Sequence, residues 1–273
     1  MIWLCTESFK MDKNFRIGAL ISGSGTNLQA IIDSCETGKI KGNLVFVGSD
    51  NPAAKGIERA RRHKIPTFVV DYSSIIKRFK RKTDKTLLPD DFDFNDLLSK
   101  QTLVLENVNS QKPETFIMTR AIIEKELLDK MKPYPFDLLI LAGFMRNLTP
   151  YFIDRVNTDP DHPRIMNIHP ALLPAFPGTD GYGDTFRYGC KVGGCTVHFI
   201  DYGEDTGPII GQKVFQIEND DTLDTIKKKG LALEWELYPE CISLFAESRL
   251  KTVRVPYILK NGEERQRTVV KIL

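Results

Sequence analysis

Three residues from two distant segments together offer an amide, an imidazole and a carboxylate. Asn167 and His169 lie two positions apart, and Asp205 follows in a separate segment that ends in glycine and proline. Attack of an amine on an acyl carbonyl creates an oxyanion and an ammonium, so a site must stabilise the first and deprotonate the second. An amide and an imidazole can donate to the oxyanion, while a carboxylate orients and polarises the imidazole. Asn167, His169 and Asp205 are therefore candidate catalytic residues for acyl transfer.

The segment that contains Asn167 and His169 reads as the end of a buried strand. Residues 164–168 form a short, largely apolar run, and Pro170 ends it directly after His169. Side chains two positions apart on a strand share one face, and ligand clefts of open α/β sheets lie at the carboxyl edge. We therefore expect Asn167 and His169 in such a cleft. Taken one by one, a structural histidine and a solvated loop aspartate are the alternative interpretations.

A glycine-rich turn follows the first predicted strand and opens the first helix. Gly23 and Gly25 permit a tight turn and close approach of a ligand, and the helix N-terminus favours a phosphate. Leu28 stands where dinucleotide-binding loops need a third glycine, and the P-loop lysine is missing. The turn thus favours the phosphate of a mononucleotide-like ligand, and a strand–helix connection that binds nothing is the alternative.

Apolar runs alternate with helical patterns along most of the chain. This alternation predicts an α/β fold: a mostly parallel, twisted sheet with helices on both faces, and an antiparallel C-terminal part. The predicted strands cover residues 15–22, 43–48, 67–70, 136–142, 164–168, 194–201 and 209–217, and the predicted helices cover residues 27–35, 53–63, 149–156 and 222–246.

Residues 15–248 are predicted to form the main domain. Residues 1–14 would be an N-terminal extension, and residues 249–273 a tail that forms an edge hairpin around Asn261 and Gly262.

An insertion spanning residues 73–118 interrupts the predicted main domain. It contains a basic block at residues 77–82 and an acidic block at residues 90–96. We interpret it as a solvated, partly mobile insertion, with a lid or a partner contact as the alternatives.

Composition excludes several broad classes of protein. The chain has 273 residues, of which 41% are hydrophobic, so it can bury a full core. A net charge of +2 indicates no general preference for nucleic acid or membrane surfaces. The five cysteines are widely spaced without a Cys-x-x-Cys pair, which favours reduced thiols in the cytoplasm over disulfides or a zinc site. No apolar run reaches membrane-spanning length.

Four sequence blocks stand in order along the chain: residues 21–32 (ISGSGTNLQAII), 141–146 (LAGFMR), 167–178 (NIHPALLPAFPG) and 197–210 (VHFIDYGEDTGPII). They resemble the phosphoribosylglycinamide formyltransferases of purine biosynthesis, within the wider family that uses 10-formyltetrahydrofolate. The resemblance covers residues 15–248 apart from the insertion. It implies an enzyme that transfers the formyl group of 10-formyltetrahydrofolate to the amine of glycinamide ribonucleotide, without a metal. The expected partners are these two small molecules, with no nucleic acid or membrane, and the expected state is a monomer or homodimer.

The resemblance also implies roles for individual residues. Asn167 and His169 would stabilise the oxyanion, while Asp205 would hold the imidazole and help proton transfer through water. The residues that match the substrate's phosphate loop and its ribose-binding acid are Gly25, Thr26, Asn27 and Glu234. The residues that match the pterin pocket are Met145, Arg146, Leu148 and Asp201. Ordinary core packing is the alternative for Met145 and Leu148, and an exposed helix position for Glu234.

Some positions depart from the family pattern. Leu231 stands where relatives carry a polar or basic residue that helps bind phosphate, so the alternatives are replacement by Lys227 or Lys228, or a weaker affinity for phosphate. Asn147 replaces an apolar residue of the pterin pocket, and Asp180 stands where some relatives have histidine.

His198 is a further histidine whose role the sequence leaves open between structural support and metal binding. His198 is predicted to give structural support rather than to bind a metal, because no short ligand spacing surrounds it.

Three rival functions are considered. A formyltetrahydrofolate deformylase would carry an extra N-terminal domain, for which we see no room before Phe15. A methionyl-tRNA formyltransferase would need an RNA-binding domain after the last long helix. A non-catalytic nucleotide-binding protein would not need Asn167, His169 and Asp205 together.

Overall fold

The computed structural model describes residues 15–103 and 113–273 and contains a seven-stranded main sheet. The extension predicted for residues 1–14 lies outside the described part. The strands of the main sheet are β1 (Phe15–Ile21), β2 (Gly42–Ser49), β3 (Thr67–Val69), β4 (Leu138–Leu141), β5 (Ile165–His169), β6 (Val192–Phe199) and β7 (Ile209–Gln216).

The strand order is β3-β2-β1-β4-β5-β6-β7, and the first five strands in this order are parallel. β6 runs antiparallel to both of its neighbours, β5 and β7. The prediction of a mostly parallel sheet with an antiparallel C-terminal part is therefore confirmed. The parallel strands are almost continuously apolar because helices cover both of their faces.

Helices pack on each face and create two separate cores. Alternate residues of β1 point in opposite directions, so Ile17 joins one core and Leu20 the other. The helices are α1 (Thr26–Glu36), α2 (Gly56–Arg62), α3 (Tyr72–Arg81), α4 (Phe94–Lys100), α5 (Pro113–Met131), α6 (Pro150–Val156), α7 (Gly181–Arg187) and α8 (Leu223–Ala246). Among the described residues, no helix has the length and hydropathy needed to cross a membrane.

The long helix α8 is fixed under the strands that carry the predicted site. Thr222 caps its N-terminus, and the Thr222 hydroxyl accepts a hydrogen bond from the backbone N–H of Thr225. In its second half, the buried Tyr238 hydroxyl lies 2.8 Å from the carbonyl oxygen of Met166 and 3.2 Å from that of Leu141. These bonds set the height of α8 relative to β4 and β5, and hence the position of Glu234 one turn earlier.

The insertion was predicted to be solvated, but a few apolar residues in its described part are buried. Phe79 of α3 is buried against Met118 and Ile122 of α5, and Leu97 of α4 is buried with Phe116. Apolar residues within or next to the charged blocks thus form two small cores on α5. The charged residues occupy the outer face of the segment, which is why composition alone suggested solvation.

The C-terminal hairpin forms around the predicted turn but lies apart from the main sheet. β8 (Leu250–Ile258) pairs antiparallel with β9 (Glu264–Ile272), and Gly262 takes a positive φ of 84° in the turn. The two strands make a sheet of their own. Leu250 and Val270 pack against the core, so side-chain contacts rather than edge pairing attach the hairpin.

Candidate active site

A cleft of about 410 Å³ opens at the carboxyl edge of the main sheet. Its walls include the start of α1, the end of β4 with the segment after it, and the end of β5. Parts of α7 and α8 and the loop between β6 and β7 complete the cleft. β1 and β4 are neighbours at the point where the strand order reverses, which is where open α/β sheets bind ligands. Gly25 is absent from the lining, and the predicted site residues in it are Thr26, Asn27, Met145, Arg146, Leu148, Asn167, His169, Asp201, Asp205 and Glu234.

His169 lies at the end of β5 and is only 3% exposed. Its Nδ1 is 3.2 Å from Oδ2 of Asp205, and its Nε2 is 2.7 Å from the carbonyl oxygen of Phe176. Both partners are acceptors, so the doubly protonated ring satisfies both contacts. A substrate oxygen that approaches Nε2 must share or displace the contact with Phe176.

Asp205 is held in place by its backbone and by a neighbouring loop. Its φ of 55° lies in the left-handed region, which aspartate tolerates better than most residues. Oδ2 accepts a hydrogen bond of 2.8 Å from the backbone N–H of Gly178. The carboxylate therefore presents a fixed edge to His169, as an orienting group must.

His198 holds the side chain of Asn167 through a hydrogen bond. Nδ1 of His198 donates a hydrogen bond of 2.9 Å to the carbonyl oxygen of Phe199. In the neutral ring, Nε2 is therefore the nitrogen without a proton and can accept a hydrogen bond. Complete burial lowers the pKa of His198 and favours this neutral form. Nε2 accepts from Nδ2 of Asn167 at 3.3 Å. The second N–H of that amide is left for the cleft, which Asn167 lines.

The glycine-rich turn brings the start of α1 to one end of the cleft. Gly25 has a φ of 70°, and a Cβ there would lie 2.7 Å from the Cα of Gly56. Arg59 donates from Nε to the carbonyl oxygen of Ser24 at 2.8 Å. The Arg59 guanidinium therefore braces the turn.

Glu234 is buried at the same end and receives two hydrogen bonds. Nδ2 of Asn27 donates to Oε2 at 2.6 Å, and the hydroxyl of Tyr182 donates to Oε1 at 2.7 Å. Burial raises the pKa of Glu234 above its ordinary value, against the opposing effect of both bonds. The alternative of an exposed helix position for Glu234 is wrong, since it is 5% exposed.

Sequence reasoning missed Tyr182, which lies on α7. That helix contains Gly181 and Gly183, whose low helix propensity hides the helical pattern. Lys227 lines the cleft beside Leu231, whereas Lys228 is outside the lining. Of the two lysines considered as replacements for a phosphate-binding residue, Lys227 thus has the better position.

The opposite end of the cleft contains the residues that resemble a pterin pocket. Met145 is 54% exposed, so core packing does not explain it, and its backbone N–H donates to Oγ of Ser22 at 2.8 Å. Leu148 is buried and lines the cleft. Arg146 donates from Nε to Oδ2 of the buried Asp50 at 2.5 Å.

Asp201 opens the loop that leads to Asp205. Its Oδ1 accepts from the hydroxyl of Thr206 at 2.6 Å and from the backbone N–H of Gly203 at 3.0 Å. These bonds close the loop on itself. Within the ranges that the structure describes, no group of three or more His, Cys, Asp or Glu side chains is arranged to hold a metal ion.

Comparison with known proteins agrees with this geometry. The formyl transferase family model matches residues 15–242. The phosphoribosylglycinamide formyltransferase of Bacillus subtilis is 33% identical over 230 residues, which cover 84% of this chain and 93% of that protein. The Escherichia coli protein of the same name is 34% identical over 235 residues, which cover 86% of this chain and 89% of that protein.

A solved structure gives the same result in three dimensions. Glycinamide ribonucleotide transformylase 1 from Symbiobacterium toebii superposes with a TM-score of 0.67 at 34% identity, covering 96% of this chain and 95% of that one. The chain therefore belongs to the formyl transferase family and, within it, to the phosphoribosylglycinamide formyltransferases.

Proposed function

We propose that this enzyme transfers the formyl group of 10-formyltetrahydrofolate to the amine of glycinamide ribonucleotide in de novo purine biosynthesis. The observation that carries the proposal is the convergence of Asn167, His169 and Asp205 in one cleft. The same cleft offers a helix N-terminus at one end and a partly apolar pocket at the other. Two substrates can thus meet at the histidine.

The chemical step is an acyl transfer in which one C–N bond forms and another breaks. The amine nitrogen attacks the formyl carbon, and the carbonyl electron pair moves onto oxygen. His169 and the free N–H of Asn167 donate to this oxyanion. The C–N10 bond then breaks as N10 takes up a proton, and the attacking nitrogen loses one. Asp205 keeps the imidazole oriented and assists proton transfer through water.

The nucleotide end binds the phosphate and the ribose. Backbone N–H groups of Thr26 and Asn27 and the dipole of α1 favour the phosphate, and the Lys227 ammonium adds a positive charge. Glu234 accepts from the ribose hydroxyls through lone pairs that Asn27 and Tyr182 leave free.

The folate end receives the pterin between two walls. Met145, Arg146 and Leu148 form one wall, and the loop that starts at Asp201 forms the other. Backbone groups and apolar side chains on these walls suit a flat ring with polar edges.

The proposed compartment is the cytoplasm. Four cysteines among the described residues are free, which agrees with a reducing environment. A monomer or homodimer without nucleic acid or membrane contacts stays our expectation for the assembly.

A two-substrate assay tests the proposed function. Purified protein should convert 10-formyltetrahydrofolate to tetrahydrofolate only when glycinamide ribonucleotide is present, as followed by absorbance. Rapid release of formate without the amine would instead identify a deformylase, in which water is the acceptor. An RNA acceptor that is formylated in place of the ribonucleotide would likewise overturn the proposal.

A further inference from the structure

The loop from Asp201 to Asp205 has two sides, and only one of them faces the cleft. Asp201, Gly203, Glu204 and Asp205 line the cleft, whereas Tyr202 is absent from that lining. Tyr202 instead packs beside the core formed by α5 and α6. Its hydroxyl donates to Oδ1 of Asp154 on α6 at 2.5 Å. Tyr202 therefore ties the back of the loop to the scaffold.

The inserted segment makes two contacts here, one with Asp154 and one with Tyr202. Lys100, the last residue of α4, donates from Nζ to Oδ2 of Asp154 at 2.9 Å. Two residues further on, the backbone N–H of Thr102 donates to the carbonyl oxygen of Tyr202 at 3.3 Å. Thr102 thus holds the loop backbone directly. Lys100 acts indirectly, through the Asp154 carboxylate that accepts from the Tyr202 hydroxyl.

The contact at Asp154 orders both of its partners. One carboxylate oxygen accepts from Tyr202 and the other from Lys100, so both oxygens are committed. Burial and the bond to Asp154 raise the pKa of Tyr202 to about 12, and the hydroxyl keeps the proton that it donates. Lys100 also bonds Asp96 one helical turn earlier, which points its ammonium along α4. Leu97 and Leu103 bury this segment against α5, so its position is fixed.

We infer that the inserted segment is a positioning element for the active site, in which Lys100 and Thr102 hold the back of the loop that carries Asp205 and the folate wall. The inference rests on the proposed function, since it assigns the folate end of the cleft to this loop. It predicts an effect that is local: the folate wall moves when the contacts are lost, while the nucleotide end at Thr26 and Glu234 does not.

Lys100→Met tests the inference, since methionine keeps the apolar stem and removes the ammonium. We expect KM for 10-formyltetrahydrofolate to rise roughly three- to fivefold, as for loss of an ion pair whose side chains are 36% and 32% exposed, with KM for glycinamide ribonucleotide unchanged. Any fall in kcat should be no larger than this factor, because Asp205 keeps its own bond from the backbone N–H of Gly178. Lys100→Arg should restore most of the affinity because it keeps the charge. Lys125→Met is the matched control, because Lys125 pairs with Asp129 on α5 in the same i,i+4 spacing without reaching the loop.

A double-mutant cycle separates a shared path from two unrelated defects. Tyr202→Phe removes the other bond to Asp154, so the variant that combines it with Lys100→Met should be no worse than the poorer single variant. Effects that multiply would overturn the inference. A lower melting temperature with both KM values unchanged would also overturn it, as would an equal rise in both KM values.

Hydrogen exchange provides a readout that does not depend on turnover. Peptides covering residues 200–208 should exchange faster in Lys100→Met than in the wild type and in Lys125→Met. Unchanged exchange there would overturn the inference even if the wild type passes the two-substrate assay. Faster exchange in a protein that fails that assay would leave the positioning role standing and refute the proposed function alone.

Discussion

His169 is enclosed by fixed oxygen atoms on both sides of its ring, and this enclosure separates it from the chain's surface histidines. His162 also pairs with an aspartate, Asp159, at 2.8 Å, but its side chain is 78% exposed. Proximity to a carboxylate is therefore common to both residues. Burial in a cleft beside an amide donor is what distinguishes His169.

This difference gives a matched test at the residue scale. His169→Ala and Asp205→Asn should each lower kcat by a factor on the order of 10² or more, because the oxyanion loses a donor or the imidazole its orientation. His162→Ala should keep the wild-type rate. Steady-state kinetics with both substrates would measure all three, and similar rates for His169→Ala and His162→Ala would contradict the catalytic assignment.

Glu234 should make nucleotide binding depend on pH. Its pKa is raised by burial, so the carboxylate takes up a proton at a higher pH than an ordinary glutamate does. Because the ribose hydroxyls need an acceptor, affinity for glycinamide ribonucleotide should fall as the pH falls through this raised pKa. Titration calorimetry from about pH 8 to 5 would show the fall in the wild type, with a flatter profile in Glu234→Gln.

The control for that measurement is Glu236→Gln on the same helix. Glu236 pairs with Lys213 and its side chain is 59% exposed. The affinity of Glu236→Gln should depend on pH as that of the wild type does. If its pH profile is as flat as that of Glu234→Gln, the buried Glu234 carboxylate is not the source of the pH dependence.

The sequence could predict which candidate catalytic residues meet in the cleft, but not all of their neighbours. Asn167 and His169 were recognisable because a strand and a proline frame them, and the structure brings them together with Asp205. Phe176 contributes only a backbone carbonyl, which no side-chain pattern reveals. Tyr182 acts from a helix whose glycines conceal it. Contacts of both kinds depend on tertiary approach rather than on local sequence.

At the scale of elements, α5 joins the inserted segment to the main domain. It begins at Pro113 and was not predicted, because buried residues surround most of its circumference and leave no clear apolar stripe. Its Glu124 is fully buried and accepts from the backbone N–H of Thr149 at 2.8 Å, at the start of α6. The carboxyl group thus fastens α5 to α6.

Glu124 should also make stability depend on pH. Burial raises its pKa to about 7, so between its ordinary value and that pH the folded state holds a proton that the unfolded state releases. The free energy of unfolding should therefore fall as the pH rises through this window. The loss attributable to Glu124 should be roughly 1–3 kcal/mol.

Urea unfolding at several pH values would check this effect. Glu124→Gln keeps an acceptor for Thr149 without a charge, so its stability relative to the wild type should improve as the pH rises. Glu126→Gln, at an exposed position on the same helix, should follow the wild type. A constant difference between wild type and Glu124→Gln across the range would contradict the assignment.

Elements of the main sheet were predictable because burial on both faces produces continuous apolar runs. β1, β4 and β5 lie within the predicted ranges, give or take one residue. The packing of α3 and α4 was not predictable in the same way. Phe79 stands alone within a basic block and Leu97 follows an acidic block, and only their contacts with α5 show that they are buried.

At the scale of the whole molecule, the cleft connects parts of the chain that are far apart in sequence. The start of α1, the segment after β4, the end of β5, the loop before β7 and the middle of α8 all meet at one edge of the sheet. Their order in the sheet places the imidazole between the end proposed to bind the phosphate and the end proposed to bind the folate ring. This arrangement is what formyl transfer between two bound substrates requires.

The most direct test of this account follows the formyl carbon. Protein is mixed with both substrates, with 13C in the formyl group of 10-formyltetrahydrofolate, and the products are resolved by NMR or mass spectrometry. We predict that the label appears in the formylated amine of glycinamide ribonucleotide, in step with tetrahydrofolate, and that His169→Ala abolishes this transfer. Label recovered as free formate, or left on the folate while the ribonucleotide stays unmodified, would contradict the account.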